Sequence, residues 1–517
     1  MNTAIWRSLL WKEWREHRWK LAALVVVVIG LHVWALTASG RFALPDDAPV
    51  MATLVLVLPI GSAFVAMGLA ASERSQRTAP FLRSLPLDSR YVAVTKLLAG
   101  ITTIVAVQAF AVLLTQCRLL AVDSLNTTVA TGSSSPLNHL PRLFETGHWS
   151  VTALLFSLMV GASLILWIAA PAVNTESEVR AGAIGLIVIV ACWTLFAWVL
   201  YLTGDGTEVP LTKRVIAAHV AAMLPGGIWV ALGILDGLAG QSYLLFPYLA
   251  SHIPLAWWYI TRFGHTGDRE RARLNDAAPL VAPAPVWLGP ARRSSQSALL
   301  WKHTRECAPI VLAGAIGAVG LAVTTVCMQY TTRHDAIDLL ELTSGSVLVG
   351  FMMLGCIAGL VCGAGVLTSE LEPQLYTFWR TRPISIDLWF AIAFLGGLAL
   401  LVIVFGIPIA IAYQFAVPAE SHDEPPLSLA LAILVLSYVS GAFTASFVRN
   451  AVYASLLGLG VMGFAFTGVM YTLTRIIKDS GIDIPVAWLG VATLAVSALL
   501  GLAAWVCVRN DWSLRLS

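Results

Sequence analysis

Charge is what this chain has least of. Of 517 residues, 12% are Asp, Glu, Lys or Arg and 58% are hydrophobic, whereas a soluble domain carries about 25% charged residues. So few charges cannot coat a water-facing surface of this length. A soluble globular protein is excluded, and an integral, multi-spanning membrane protein is expected. The net charge of +3 is too small to point to a nucleic-acid partner. The seven cysteines (Cys117, Cys192, Cys307, Cys327, Cys356, Cys362 and Cys507) form no CxxC pair. Most sit in or near apolar runs, as small buried hydrophobes do, which argues against metal or redox work. There is no GxxxxGK[ST] phosphate loop, no HExxH, no GxSxG and no carboxylate pair inside an apolar run, so nothing marks a catalytic centre or ATP hydrolysis by this chain alone. The first twenty residues hold Trp6, Trp11, Trp14 and Trp19 among basic and acidic residues, and no A-x-A-like site follows. The N-terminal apolar run is expected to be retained rather than cleaved.

Long apolar runs are present instead. A spanning helix needs about 20 apolar residues, and that window gives spans near 21–38, 50–71, 91–115, 150–172, 181–203 and 242–262, then 308–329, 345–367, 388–416, 427–448, 450–473 and 487–508. Between the two sets lies a polar, Pro/Ala-rich linker containing "GDRERARLND" and "APLVAPAPVWLGPARRSS". The expected organisation is a first six-span half over 1–265, a cytoplasmic linker over 266–297 and a second six-span half over 298–517. The apolar stretch Ala217 to Gly237 is interrupted by Pro225, Gly226 and Gly227. It is expected to be a helix-break-helix piece lying shallowly on the side opposite the linker. With both termini and the linker in the cytoplasm, 24 of the 32 Lys and Arg fall on that side, as the positive-inside rule requires.

The chain also repeats itself. "LLWKEWRE" (Leu9 to Glu16) returns as "LLWKHTRE" (Leu299 to Glu306), identical at six of eight positions and offset by 290 residues. A second pair, "SERSQRTAPFLRSLPLDSRYVAVTKLLAG" and "SELEPQLYTFWRTRPISIDLWFAIAFLGG", is offset by 297. It matches Glu73 with Glu370, Phe81 with Phe378, Arg83 with Arg380, Pro86 with Pro383 and Gly100 with Gly397. Val179-Arg180 beside Val448-Arg449 is a weaker third match. Order and side are kept, and six spans per half is even, so the halves run parallel. The opening motif places Trp11, Lys12, Arg15 and Glu16, and again Trp301, Lys302, Arg305 and Glu306, just before a span. Aromatic and basic residues suit the headgroup zone, and each motif reads as an interfacial helix that turns into its first span. Glu13 falls within the apolar face of that helix. The second motif reads as a Glu ending the second span, a short cytoplasmic helix bearing Phe and Arg, and a closing proline. Apolar residues among arginines at a membrane surface suit docking of a soluble subunit.

At these residues the chain resembles the ABC-2 type transporter permeases. That family has an "LLxKExRE"-like amphipathic helix before its first span and an "E…T…FLxSLPxxxxxxVxxKLLAG"-like segment between spans two and three. "LPGGIWVALGI" resembles the family's extracellular helix-turn segment before the sixth span. The second half departs from the pattern: the basic residue matching Lys96 is Ala393. The resemblance implies an all-α polytopic fold of about 12 transmembrane helices in two parallel six-helix repeats. Each repeat would have a preceding interfacial helix and a short cytoplasmic coupling helix. It implies a permease, with many exporters in the family, resident in a bacterial cytoplasmic membrane. It also implies a separate cytoplasmic ATPase, in two copies, that binds the ATP while this chain holds no cofactor and no metal. Glu73, Phe81, Arg83, Pro86, Glu370, Phe378, Arg380 and Pro383 would then carry the coupling. Two other readings stay open: a secondary carrier with two six-span repeats, and a membrane assembly protein or enzyme without transport. His32, Gln108, His219 and Asp236 are single polar groups in or beside apolar runs, with packing or hydrogen-bonding roles expected. The cargo is unspecified, and the lining mildly favours a lipid or amphipathic compound.

Overall fold

The computed structural model describes residues 3–38, 53, 57–75, 88–129, 140–175, 178–203, 219–225, 244–264, 294–332, 339–368, 371, 384–416, 427–448, 450–480 and 487–510. Among them the regular structure is entirely helical. The helices are α1 (Thr3–Ala38), α2 (Leu58–Ser75), α3 (Ser89–Val129), α4 (Leu140–Ala169), α5 (Glu178–Thr203) and α6 (Leu245–Arg262). They continue with α7 (Ser295–Thr332), α8 (Leu339–Thr368), α9 (Ile386–Leu401), α10 (Ile407–Ala416), α11 (Leu427–Phe447), α12 (Ala451–Ser480) and α13 (Ala487–Arg509). Among the described residues, seven helical stretches are long and apolar enough to cross a membrane: Ser89–Cys117, Gln296–Val326, Thr343–Thr368, Ile386–Phe415, Leu427–Phe447, Ala451–Leu473 and Trp488–Arg509. The protein is thus an integral membrane protein of helical, polytopic type.

Two expectations need revision. The opening motif does not form a separate helix that turns into a span. It is the first part of α1, one uninterrupted helix of 36 residues. No glycine or proline occurs between Trp6 and Ile29, so nothing in that stretch stops a helix. The second copy likewise begins the 38-residue α7, which carries Pro309 inside it. The span expected over 388–416 is continuous but not uniformly α-helical. Val402–Gly406 forms a π turn in which the Ile407 N–H donates to Val402 O. Pro408 supplies the cause, because it has no N–H to give to the carbonyl four residues back. Of the broken apolar stretch, 219–225 is described. Its helical turn ends at Leu224 and Pro225, where the proline was expected to stop it, and the remainder lies outside the described residues. So does the linker up to residue 293.

Two buried apolar clusters hold the helices. One is built from Leu9 through Phe263, with Val452 and Leu456 of α12 added. The other runs from Leu299 to Val508. The tightest crossing is α8 on α11, where Gly363 faces the Tyr438 carbonyl and Gly441 faces the Leu360 carbonyl. A Cβ on either glycine would collide with the opposing backbone, so the two helices meet almost backbone to backbone, as small residues permit inside membranes. The outward faces of α6 (Phe246, Ile253, Trp257) and α13 (Trp488, Val491, Leu499) are exposed and apolar, as lipid contact requires.

Candidate functional site

The opening motif carries three ionisable residues of α1, and their neighbours on α2 and α3 complete a buried ionic cluster. Glu13, Lys12 and Glu16 come from α1, Glu73 from the end of α2, and Lys96 from the second turn of α3. Lys96 is 1% exposed and reaches all three carboxylates: Glu13 at 3.2 Å, Glu16 at 3.0 Å and Glu73 at 2.9 Å. Lys12 lies 2.5 Å from Glu73, 2.9 Å from Glu16 and 3.5 Å from Glu13. The helical i,i+4 spacing sets Lys12 and Glu16 on one face, and Glu13 shares it one position on. Burying charges is costly unless each is paired, and here every one is.

The protonation behaviour follows from that pairing. Burial alone would raise the Glu16 carboxyl, yet Lys96 and Lys12 outweigh it and hold Glu16 down at about 2. Burial acts the same way on Glu73, and the same two ammonium groups keep it below the ordinary carboxylate value. Glu13 goes the other way: burial, reinforced by Glu16, raises it despite Lys96. Lys12 is pushed down by burial and by Lys96, but Glu16, Glu13 and Glu73 together carry it above its usual value. Three carboxylates face two ammonium groups, and Glu13 is the member on which an extra proton sits best. His17, 4.0 Å from Glu13, is held well below its ordinary value by burial and then by Lys20, Lys96 and Lys12. It is neutral at physiological pH.

One carboxylate oxygen each from Glu13, Glu16 and Glu73 lies within 4.8 Å of the others, a spacing that could hold a cation. The ammonium nitrogens of Lys12 and Lys96 already occupy that centre, so the arrangement is an ion-pair knot, not a metal cage. Two tyrosines fasten it to neighbouring helices. Tyr453 of α12 donates to the Glu16 carbonyl at 2.7 Å, and Tyr259 of α6 donates to the Leu69 carbonyl at 3.0 Å. Beside it, Asn174 takes a left-handed backbone (φ 68°). Its side chain donates to Arg262 O and accepts from Gly264 N, clamping the α4–α5 turn to the end of α6.

The second copy of the motif builds something different. At the positions matching Lys12, Glu13, Glu16, His17, Lys20 and Lys96 stand Lys302, His303, Glu306, Cys307, Ile310 and Ala393. Lys302 and Glu306 are 3.7 Å apart, both more than a third exposed. His303, Cys307 and Ala393 are buried. The apolar interior has replaced the knot.

The sequence-identified residues therefore divide. Lys12, Glu16 and Glu73 are brought together. Trp11, Arg15, Arg305 and Glu306 point outward, and Trp301 and Lys302 are half-buried. Phe81, Arg83, Pro86, Glu370, Phe378, Arg380 and Pro383 lie outside the described residues. Glu13 and Lys96 are central members that sequence reasoning had not placed in a site. The signal was available: a Glu on an apolar helix face and a Lys inside an apolar run each break the hydrophobic pattern with opposite sign. Of the isolated polar groups, His32 accepts from Thr115 at 3.0 Å while its other nitrogen donates to Val28 O at 2.9 Å, linking α1 to α3. Ser163 and His252, 2.6 Å apart, have the separation of a nucleophile and base. Both are buried, and the imidazole stacks on Tyr248 with 4.1 Å between ring centroids, so the pair ties α4 to α6. No protein-family model, no curated protein and no solved structure matches the chain.

Proposed function

We propose that this chain is the transmembrane permease of an ATP-driven transporter of the ABC-2 type, an exporter with two fused six-span halves, moved by two copies of a separate cytoplasmic ATPase. The observation that carries the reading is the ionic knot. It joins α1 to the last turn of α2 and the second turn of α3, the two ends of the segment 76–87 that the resemblance makes a coupling helix. A push on that segment is delivered to three helices at once, because charged groups in a buried knot cannot separate without large cost.

Matched contacts support the two-half organisation. Leu24 of α1 packs on Gly61 of α2, and at the repeat offsets Gly314 of α7 packs on Ala358 of α8. Gly100 of α3 packs on Leu69 of α2, as Gly397 of α9 does on Val366 of α8. Each half ends on an arginine over the tryptophan one turn earlier: Arg262 over Trp258 at 4.6 Å and Arg509 over Trp505 at 5.1 Å. Between the halves, α5 packs on α7 and α12 packs on α1, so the fifth span of each half meets the first span of the other. That reciprocity is expected of two like bundles around a central axis. The cytoplasmic placement of both termini and the linker rests on the distribution of Lys and Arg.

The test is capture of the tagged chain from its native membrane. A bound protein bearing a GxxxxGK[ST] loop is expected, lost when Phe81, Arg83, Phe378 and Arg380 are all changed to Ala. Unchanged ATPase binding by that variant would end the docking assignment. Buried ionisable groups also favour a second reading, a proton-coupled carrier. Transport in proteoliposomes driven by an ion gradient without ATP would select it.

A further inference from the structure

Between the two sets of helices lies a cavity of about 290 Å³, walled by α2, α4, α5, α7 and α8. Its lining carries no polar side chain: Pro59 and Met67 of α2, Gly182 and Val190 of α5, and Ile310 and Leu321 of α7 mark its extent. From Ile310 to Leu321 the rise along α7 is roughly 16 Å, and from Gly182 to Val190 along α5 about 12 Å, at 1.5 Å per residue. The void is therefore an elongated slot lying along the helices. Its length is close to half of the roughly 30 Å hydrocarbon thickness of a bilayer, which is the depth of one leaflet. One end is level with the first turn of α5, where the chain emerges from the turn at 170–175. Small residues open the slot: Ala63, Gly182, Ala183, Ala313 and Gly314 stand where larger side chains would close it.

We propose that this slot binds the acyl chain of a membrane lipid. Water has no polar partner on these walls, and a slot one leaflet deep is matched in length by a single fatty chain entering from the surrounding bilayer. The two sides of the molecule differ in this respect. Ile310, at the inner end of the slot, packs on Gly365, whereas the residue at its repeat position on the other side is Lys20, against Gly68. A charge at that point would repel a hydrocarbon end. The acyl-chain site is thus built on the α5–α7 side. It goes beyond the permease reading and does not depend on it, since it needs only that the chain lies in a bilayer.

The experiment uses the full chain in nanodiscs containing phosphatidylcholine with a diazirine in one acyl chain, followed by photolysis and mass-spectrometric mapping. Adducts are expected within 59–67, 182–190 and 353–361, besides those on the outward face of α13. Ala183→Phe, which fills the slot, should remove the first group and leave the α13 adducts unchanged. Ala63→Phe, from the opposite wall, should do the same, and thermal unfolding reports whether each variant folds. Adducts confined to outward-facing residues in the unmodified chain would overturn the proposal without any variant. So would slot labelling that persists in a folded Ala183→Phe or Ala63→Phe protein, or labelling by a compact apolar photoprobe but not by the acyl chain. Failure to capture an ATPase leaves these outcomes untouched, so the two ideas fail separately.

Discussion

Lys96 is the residue on which the ionic knot turns. Of the two cations that touch all three carboxylates, Lys96 is the one almost wholly shielded from water. Lys96→Ala would leave buried carboxylates facing Lys12 alone, and breaking a buried network from one side costs about 3–5 kcal/mol. A large fall in the thermal unfolding temperature of the detergent-solubilised protein is expected. Adding Glu13→Gln, which removes the carboxylate most burdened by burial, should recover part of it. If Lys96→Ala alone unfolds like the unmodified protein, the knot is not a structural element. The acid side has a distinct shape as well. Glu13 binds a proton more readily in the folded chain than in the unfolded one, so stability rises as pH falls through its raised value toward 4.5. Glu16 and Glu73 are depressed, so their contribution is complete above 4.5 and is lost as pH falls below it, for Glu16 down to about 2. From 4.5 to about 2, Glu16 can account for up to about 3 kcal/mol. A pH series of unfolding temperatures should show the rise disappear in Glu13→Gln and the acid limb weaken in Glu16→Gln. Glu13 looked like a flaw in an apolar face, and Lys96 like a member of a motif. Their meaning lay in each other, 83 residues apart, which no local pattern can report.

At the scale of elements, the spans were readable because a bilayer imposes length and apolarity. Seven of the expected spans coincide, among the described residues, with helices long and apolar enough to cross a membrane. What escaped was continuity. Aromatic-basic motifs at a membrane surface suggest a helix lying flat, yet α1 carries its motif straight into the span, because its charges are consumed by α2 and α3 rather than left to water. Ala22→Pro tests this. Ala22 is exposed, so side-chain packing is not at issue, but a proline there breaks an uninterrupted helix at a cost of about 3 kcal/mol or more. Lower unfolding temperature and loss of folded yield are expected. Full tolerance would mean the motif and the span are separate helices after all. The α7–α8 pairing has its own check. The buried thiols of Cys307 and Cys362 are neighbours across α7 and α8, so a membrane-permeant oxidant such as iodine should join them. Peptide mapping should find that linkage and none between Cys307 and Cys192. The π turn at Val402–Gly406 was within reach, since Pro408 in the middle of an apolar run announces a local defect.

For the whole molecule, the proposed two-half organisation rests on contacts as well as on the sequence motifs. Residues matched by offset meet matched partners, at Leu24–Gly61 and Gly314–Ala358 and again at Gly100–Leu69 and Gly397–Val366. The divergence was also visible in Ala393 and His303, though the sequence alone could not say that one half had kept a charged knot and the other an apolar core. The slot between the halves was not legible at all. It arises from small residues on four different helices, and only their packing brings them to one place. The central claim is that a single chain supplies both halves of a permease and so seats two ATPase subunits. The mass of the intact complex captured on the tagged chain, released from detergent and measured by native mass spectrometry, tests it most directly. One copy of this 55.4 kDa chain with two copies of a P-loop ATPase is the predicted result. Two copies of this chain around one ATPase pair, or a complex without a P-loop protein, would contradict it.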